Sequence, residues 1–216
     1  VLADHLRDAG VAEDKITVVH NGVRQPFIDE MLASPIDLEK DNIVIGFTGF
    51  INPWHGMDKA IEAIAEHKHL PLKLVCIGDG TILPELKQQA ADLGIADKVE
   101  FKGLVTRDKV LDFVKEFDIS LQPDVTAYAS PLKMFEYMAS GTPIVSSDLP
   151  SIREVLNENN AVLVEPDNTE ALAEGLNKVL NDESFAKKIA EQAREDVEKY
   201  DWNKRSQALL SIMKTL

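Results

Sequence analysis

The chain has 216 residues, 44% of them hydrophobic and 28% charged, with a single cysteine. This is the composition of a globular fold with a sizeable core, and one cysteine excludes a disulfide framework or a cysteine metal cluster. A net charge of −14 argues against nucleic acid, which needs basic surface to displace counterions, and disfavours an anionic membrane face.

In chain order, residues 2–9 read as a short amphipathic helix. Val1 is no initiator Met and falls at the start of that helix, as in a piece of a longer protein. Residues 15–20, Lys-Ile-Thr-Val-Val-His, read as a strand, and Asn21-Gly22 as a tight turn. Residues 23–40 carry two prolines and no clean periodicity, which suits a connecting loop with a helical turn. From there strands and helices alternate. Residues 42–50 form a near-continuous apolar run, the mark of a central parallel strand. Residues 56–66 are helical, 73–77 a strand with Cys76 as a buried small hydrophobe, and Gly78-Asp79-Gly80 a turn into a helix at 82–93. A strand at 99–102 ends at Gly103, a helix at 107–117 follows, and 119–122 is the next strand. The remaining expectations are a strand at 143–147, a helix at 151–156, a strand at 161–165, and helices at 169–180, 183–200 and 202–216. His67-Lys68-His69 reads as a solvated helix end. No stretch approaches the ~18 apolar residues of a membrane span and no signal peptide is visible, so a cytoplasmic location is expected.

Six or so strands, each followed by a helix, predict an α/β fold: a doubly wound, Rossmann-like parallel sheet with right-handed crossovers and extra C-terminal helices. No linker is long enough to divide it, so residues 1–216 are expected to be one domain. Ligands in such sheets bind at the carboxyl ends of the strands. Gly49, Gly78, Gly103 and Pro123 fall there, on one rim.

The most informative stretch is Ser130-Pro131-Leu132-Lys133-Met134-Phe135-Glu136-Tyr137-Met138-Ala139-Ser140-Gly141-Thr142-Pro143-Ile144-Val145. Ser-Pro opens a helix, with Ser130 able to cap and Pro131 placed where its missing N–H costs nothing; Gly141 stops it. A helix start offers unpaired N–H groups and partial positive charge, which suit a phosphate. Glu136 lies about one and a half turns further in, where a carboxylate can accept two ribose hydroxyl protons. Lys133, a cation in the first turn, works against the helix dipole unless an anion sits nearby. These are the outlines of a nucleotide-diphosphate site.

That run resembles the donor-binding segment of the family 4 retaining glycosyltransferases of the GT-B fold, written SP-x-K-x-x-E-x-M-A-x-G-x-P-V-V. The likeness extends from His20-Asn21-Gly22-Val23, similar to the family's P-N-G-V, to Trp202. It covers only the C-terminal, donor-binding half of such an enzyme. The resemblance implies a sugar moved from a nucleotide-diphosphate sugar to an acceptor hydroxyl, with an N-terminal acceptor-binding domain outside these residues and a fragment inactive alone. It implies that Ser130, Pro131 and Leu132 hold the diphosphate through backbone and that Lys133 meets its charge. Glu136 would hold the ribose, Gly103 and Leu104 frame the base with Arg107 beside it, and Gly49 and Gly78 line the cleft. Candidates for catalysis are His55 and Lys133. No cofactor beyond the donor is implied, and no metal. The chain departs from the family at Phe50 and His55, where an Arg and a Lys are usual on the donor phosphates. It departs again at Tyr128, where the first Glu of Glu-x7-Glu is usual and where Tyr128 or Asp124 would have to take over. A nucleotide-sugar epimerase of the same fold, or a non-catalytic relative, remains an alternative; a phosphorylase would need a recognisable pyridoxal-phosphate lysine. Base, sugar and acceptor are not legible.

Overall fold

The apolar run after residue 42 forms β1 (Ile43–Thr48), whose Ile45 and Phe47 are fully buried. The computed structural model describes residues 1–36 and 42–215. β1 lies between β2 (Leu72–Ile77) and β4 (Ile119–Gln122), parallel to both. β3 (Val99–Gly103) extends the sheet beyond β2; β5 (Ile144–Ser147) and β6 (Val162–Val164) extend it beyond β4. The order is β3-β2-β1-β4-β5-β6. Its direction of growth reverses between β1 and β4, and the crevice outside the carboxyl ends at such a reversal is where open α/β sheets bind ligands.

Successive residues of a strand point to opposite faces, and here both faces are covered. Leu74 and Cys76 enter one core; Val75 and Ile77 enter the other. The first core lies under α3 (Met57–Glu66), α4 (Leu83–Asp92) and α8 (Thr169–Asn181). The second lies under α2 (Gln25–Leu32), α5 (Arg107–Lys115) and α6 (Leu132–Ser140). α9 (Glu183–Val197) packs on both α8 and α6, with Ala186 and Ile189 in the first core and Ala193 and Val197 in the second. The α-helices α1 (Leu2–Asp8), α7 (Pro150–Arg153) and α10 (Trp202–Thr215), with short 3-10 turns at Glu13–Lys15, Pro53–His55 and Ala96–Lys98, complete the elements of the described residues. Gly46 of β1 admits the Phe117 ring onto the strand: a Cβ there would lie 2.1 Å from the ring carbons.

Several expectations need correction. Residues 16–20 form no strand, and Lys15 closes a short 3-10 turn. β-branched side chains suit a strand only where a sheet edge is available; here the carbonyl of Val19 instead accepts from Arg205 at 2.6 Å. Asn21-Gly22 makes no hairpin turn, because Val23 bridges to Asp201 and its N–H donates to Tyr200 O. The loop expected at 23–40 holds a two-turn helix, α2, with Pro26 in its first turn; residues 37–40 of it lie outside the described residues. α7 is four residues long, shorter than the six expected. His67 is buried rather than solvated. Its ring nitrogens bond Ala63 O at 2.7 Å and Asn177 Oδ1 of α8 at 2.8 Å.

Candidate functional site

α6 begins at Leu132, with Pro131 as its N-cap residue and no side-chain cap, so Ser130 stands outside the helix rather than capping it. Ser130 instead receives Asn21 Nδ2 on its carbonyl oxygen at 3.1 Å. Gly141, in the left-handed conformation, ends α6 as expected. The first-turn amides of a helix have no partners inside it, and this start borders a cavity of about 510 Å³.

The cavity opens at the carboxyl edge of the sheet. β1 and its loop supply Thr48, Gly49 and Phe50, and β2 supplies Ile77 and Gly78. Beyond β3, Leu104, Val105, Arg107 and Val110 form a second wall; Pro131, Leu132, Lys133 and Glu136 form the third. The structure thus brings Gly49, Gly78, Leu104, Arg107, Pro131, Leu132, Lys133 and Glu136 around one space. Phe50 and Leu104, both 67% exposed, stand at its mouth. Gly103 does not line it, but its carbonyl accepts from Gly78 N–H at 2.9 Å and shapes the loop beside it. Ser130 lines a different cleft, with His20, Asn21 and Tyr128.

Glu136 is 2% exposed, and its Oε1 accepts from the Arg107 guanidinium, which remains largely in solvent. Burial raises the carboxyl above its ordinary range, while Arg107, Lys133 and Arg24 pull it back. Lys133 reaches inward from the same helix start. Its Nζ is buried with no hydrogen-bond partner among the described residues and lies 3.8 Å from the centre of the Phe47 ring. It stands directly over Gly49, whose missing Cβ would be 3.0 Å away. Burial pushes this amine down to about 7, with Glu136 and Cys76 partly opposing. A buried amine, a carboxylate and the amides of a helix start therefore meet at one cavity wall, a set suited to an anion joined to a polyol.

His55 has a structural engagement. Its Nδ1 accepts from Asn52 N–H at 3.2 Å, and burial followed by the charge of Lys133 pushes it down to about 4. The ring is neutral at pH 7 with its proton on Nε2, and it does not line the cavity. Asp124 is half-buried, accepts from Val125 N–H at 2.7 Å, and likewise lies off the cavity wall; Tyr128 points to the neighbouring cleft.

Sequence reasoning missed Thr48, Ile77, Val105 and Val110 as lining residues. It also missed Tyr137, whose buried hydroxyl accepts from Thr48 N–H at 2.8 Å and pins the end of β1 to α6. The available signal was position: Thr48 and Ile77 are strand ends, and Val110 lies one turn along α5 from Arg107. Among the described residues no group of three or more His, Cys, Asp or Glu is placed to hold a metal ion, and no helix is long and apolar enough to cross a membrane.

Comparison with known proteins shows the family and the fold. The chain is 30% identical over 214 residues to an uncharacterized glycosyltransferase of Methanocaldococcus jannaschii, covering 94% of this chain and 54% of that protein. It is 27% identical over 217 residues to the D-inositol 3-phosphate glycosyltransferase of Xylanimonas cellulosilytica, covering 96% and 50%. The chain thus spans about half the length of the curated relatives it matches. Its fold is that of a glycosyltransferase from Rickettsia africae, with TM-score 0.84 at 22% identity, covering 99% of this chain and 61% of that one. The Anabaena protein HepE, crystallised in complex with UDP, superposes with TM-score 0.84 at 21% identity, covering 99% and 61%. The family model described as Glycosyl transferases group 1 matches residues 30–196, and the chain belongs to that family of glycosyltransferases.

Proposed function

We propose that this chain is the donor-binding half of a retaining glycosyltransferase, which moves a sugar from a nucleotide-diphosphate sugar to an acceptor hydroxyl. The acceptor site and the rest of the catalytic cleft belong to a second, N-terminal domain, and the 216 residues alone bind the donor and transfer nothing. The observation that carries this reading is Glu136, a nearly fully buried carboxylate four residues into a helix whose start borders the same cavity. Burying a carboxylate is costly unless it has partners, and a ribose diol supplies two hydroxyl donors. The nucleotide is the leaving group. Its growing negative charge falls on the amides around Pro131 and Leu132 and on Lys133, groups fixed before the reaction begins. Leu104 and Val105 face the base, and the exposed Arg107 leaves Glu136 as the ribose arrives.

The test is calorimetric titration of the chain with UDP, GDP and ADP, with Glu136→Ala alongside. Saturable binding of one nucleotide, weakened tenfold or more in the variant, is expected. Equal binding by the variant would remove Glu136 from the site.

A further inference from the structure

Lys133 is an unusual place for a charge. An ammonium carries three donors, yet this Nζ is buried and donates to nothing among the described residues. A ring face at 3.8 Å is a modest substitute for water. The groups facing it from the surrounding elements do not supply a dedicated counter-ion. Glu136, on the same helix, is engaged by Arg107 of α5. Cys76 of β2 is fully buried, and burial holds its thiol well above the ordinary range. His55, in the loop after β1, is held neutral. Arg24, ahead of α2, acts on Glu136. β1 offers only the Phe47 ring and the backbone at Gly49.

We propose that Lys133 is a proton-accepting phosphate site, so that a nucleotide diphosphate arriving at the start of α6 draws a proton from solvent onto its amine. The inference rests on the donor-site reading above. No heavy-atom bond changes: a neutral amine plus a solvent proton becomes an ammonium, and the diphosphate supplies the acceptors that the described side chains and backbone do not give Nζ. With the free amine titrating at about 7 and the bound one fully protonated, uptake is about three quarters of a proton at pH 7.5 and about a tenth at pH 6.

Calorimetry with UDP-glucose, GDP-mannose and ADP-glucose tests this, because their doubly esterified diphosphates do not titrate in that range. Binding enthalpies measured in two buffers of different ionisation enthalpy count the protons. The expected result is the uptake above, rising from pH 6 to 7.5. A Lys133→Arg chain, charged throughout, takes up none whatever its affinity. Enthalpies independent of buffer at pH 7.5 overturn proton uptake and leave the donor site standing. Absence of binding by all three sinks the donor-site reading and the inference that rests on it. A ligand-free measurement separates the two: carbon-13-labelled lysine followed by NMR shows one side chain titrating near neutrality, absent in Lys133→Arg. An ordinary midpoint near 10 for Lys133 overturns the inference by itself.

Discussion

Gly78→Ala puts a methyl group where the backbone of another loop already lies. The added Cβ would sit 1.9 Å from Gly49 O, and Gly78 has φ +143. Cβ atoms essentially never approach a heavy atom closer than 3.0 Å, so the loops after β1 and β2 must part by roughly 1 Å. They cannot part freely, because Gly49 N–H donates to Ile77 O and Gly78 N–H to Gly103 O, both at 2.9 Å. Strained backbone costs on the order of 1–3 kcal/mol and a lost hydrogen bond about 1 kcal/mol, so a total of roughly 3 kcal/mol is expected. Gly94→Ala is the control: its φ is +69, but an added Cβ meets nothing within 4 Å, leaving a strain term of about 1 kcal/mol. Urea unfolding followed by far-ultraviolet dichroism measures both variants. If Gly78→Ala loses no more stability than Gly94→Ala, the close approach of the two loops is not the constraint described.

Three other outcomes are expected. Tyr137→Phe leaves Thr48 N–H buried without its acceptor and lowers stability by about 1–3 kcal/mol in urea melts; an unchanged midpoint would mean the site wall is not pinned there. Lys133 titrates at about 7 in the fold against an ordinary 10.5. Below pH 7 both states are protonated and the fold bears the whole cost of the buried charge. Between pH 7 and 10.5 the unfolded chain binds more protons, so this residue makes stability rise with pH, by up to roughly 1.4 kcal/mol per unit. Lys133→Met is therefore more stable than the parent at pH 7, and the gap narrows by pH 9.5; a constant gap argues against the depressed titration. Cys76 is fully buried with its thiol pushed up, so Ellman's reagent reacts with it only after unfolding, and prompt reaction in the native chain would contradict that burial.

The sheet was legible because the strands β1, β2, β4, β5 and β6 are short, largely apolar runs, and β3 alternates apolar Val99 and Phe101 with exposed Glu100 and Lys102 as an edge strand does. The segment at 16–20 has the same composition and failed as a strand because nothing in it records whether a sheet edge is within reach. His67 misled for a related reason: its partner Asn177 is 110 residues away on α8, and only the fold joins them. The gathering of Pro131, Lys133 and Glu136 at one cavity wall was legible because the three lie within six residues of one helix start. The burial of Lys133 was not, since it depends on Phe47 from β1 lying beneath it. The opposite wall comes from Ile77, Val105 and Val110, three apolar residues on separate elements whose types are those of any core.

The loops that floor the cavity behave as an extension of the sheet. Gly49 bonds Ile77, Ile51 bonds Asp79 and Gly78 bonds Gly103, all backbone to backbone at 2.9 Å, so the ladder runs past the ends of the strands. Amides there should exchange with deuterium as slowly as strand amides rather than on the time scale of surface turns. A ligand landing on such a floor orders little that is not already ordered, and keeps more of its contact energy as affinity.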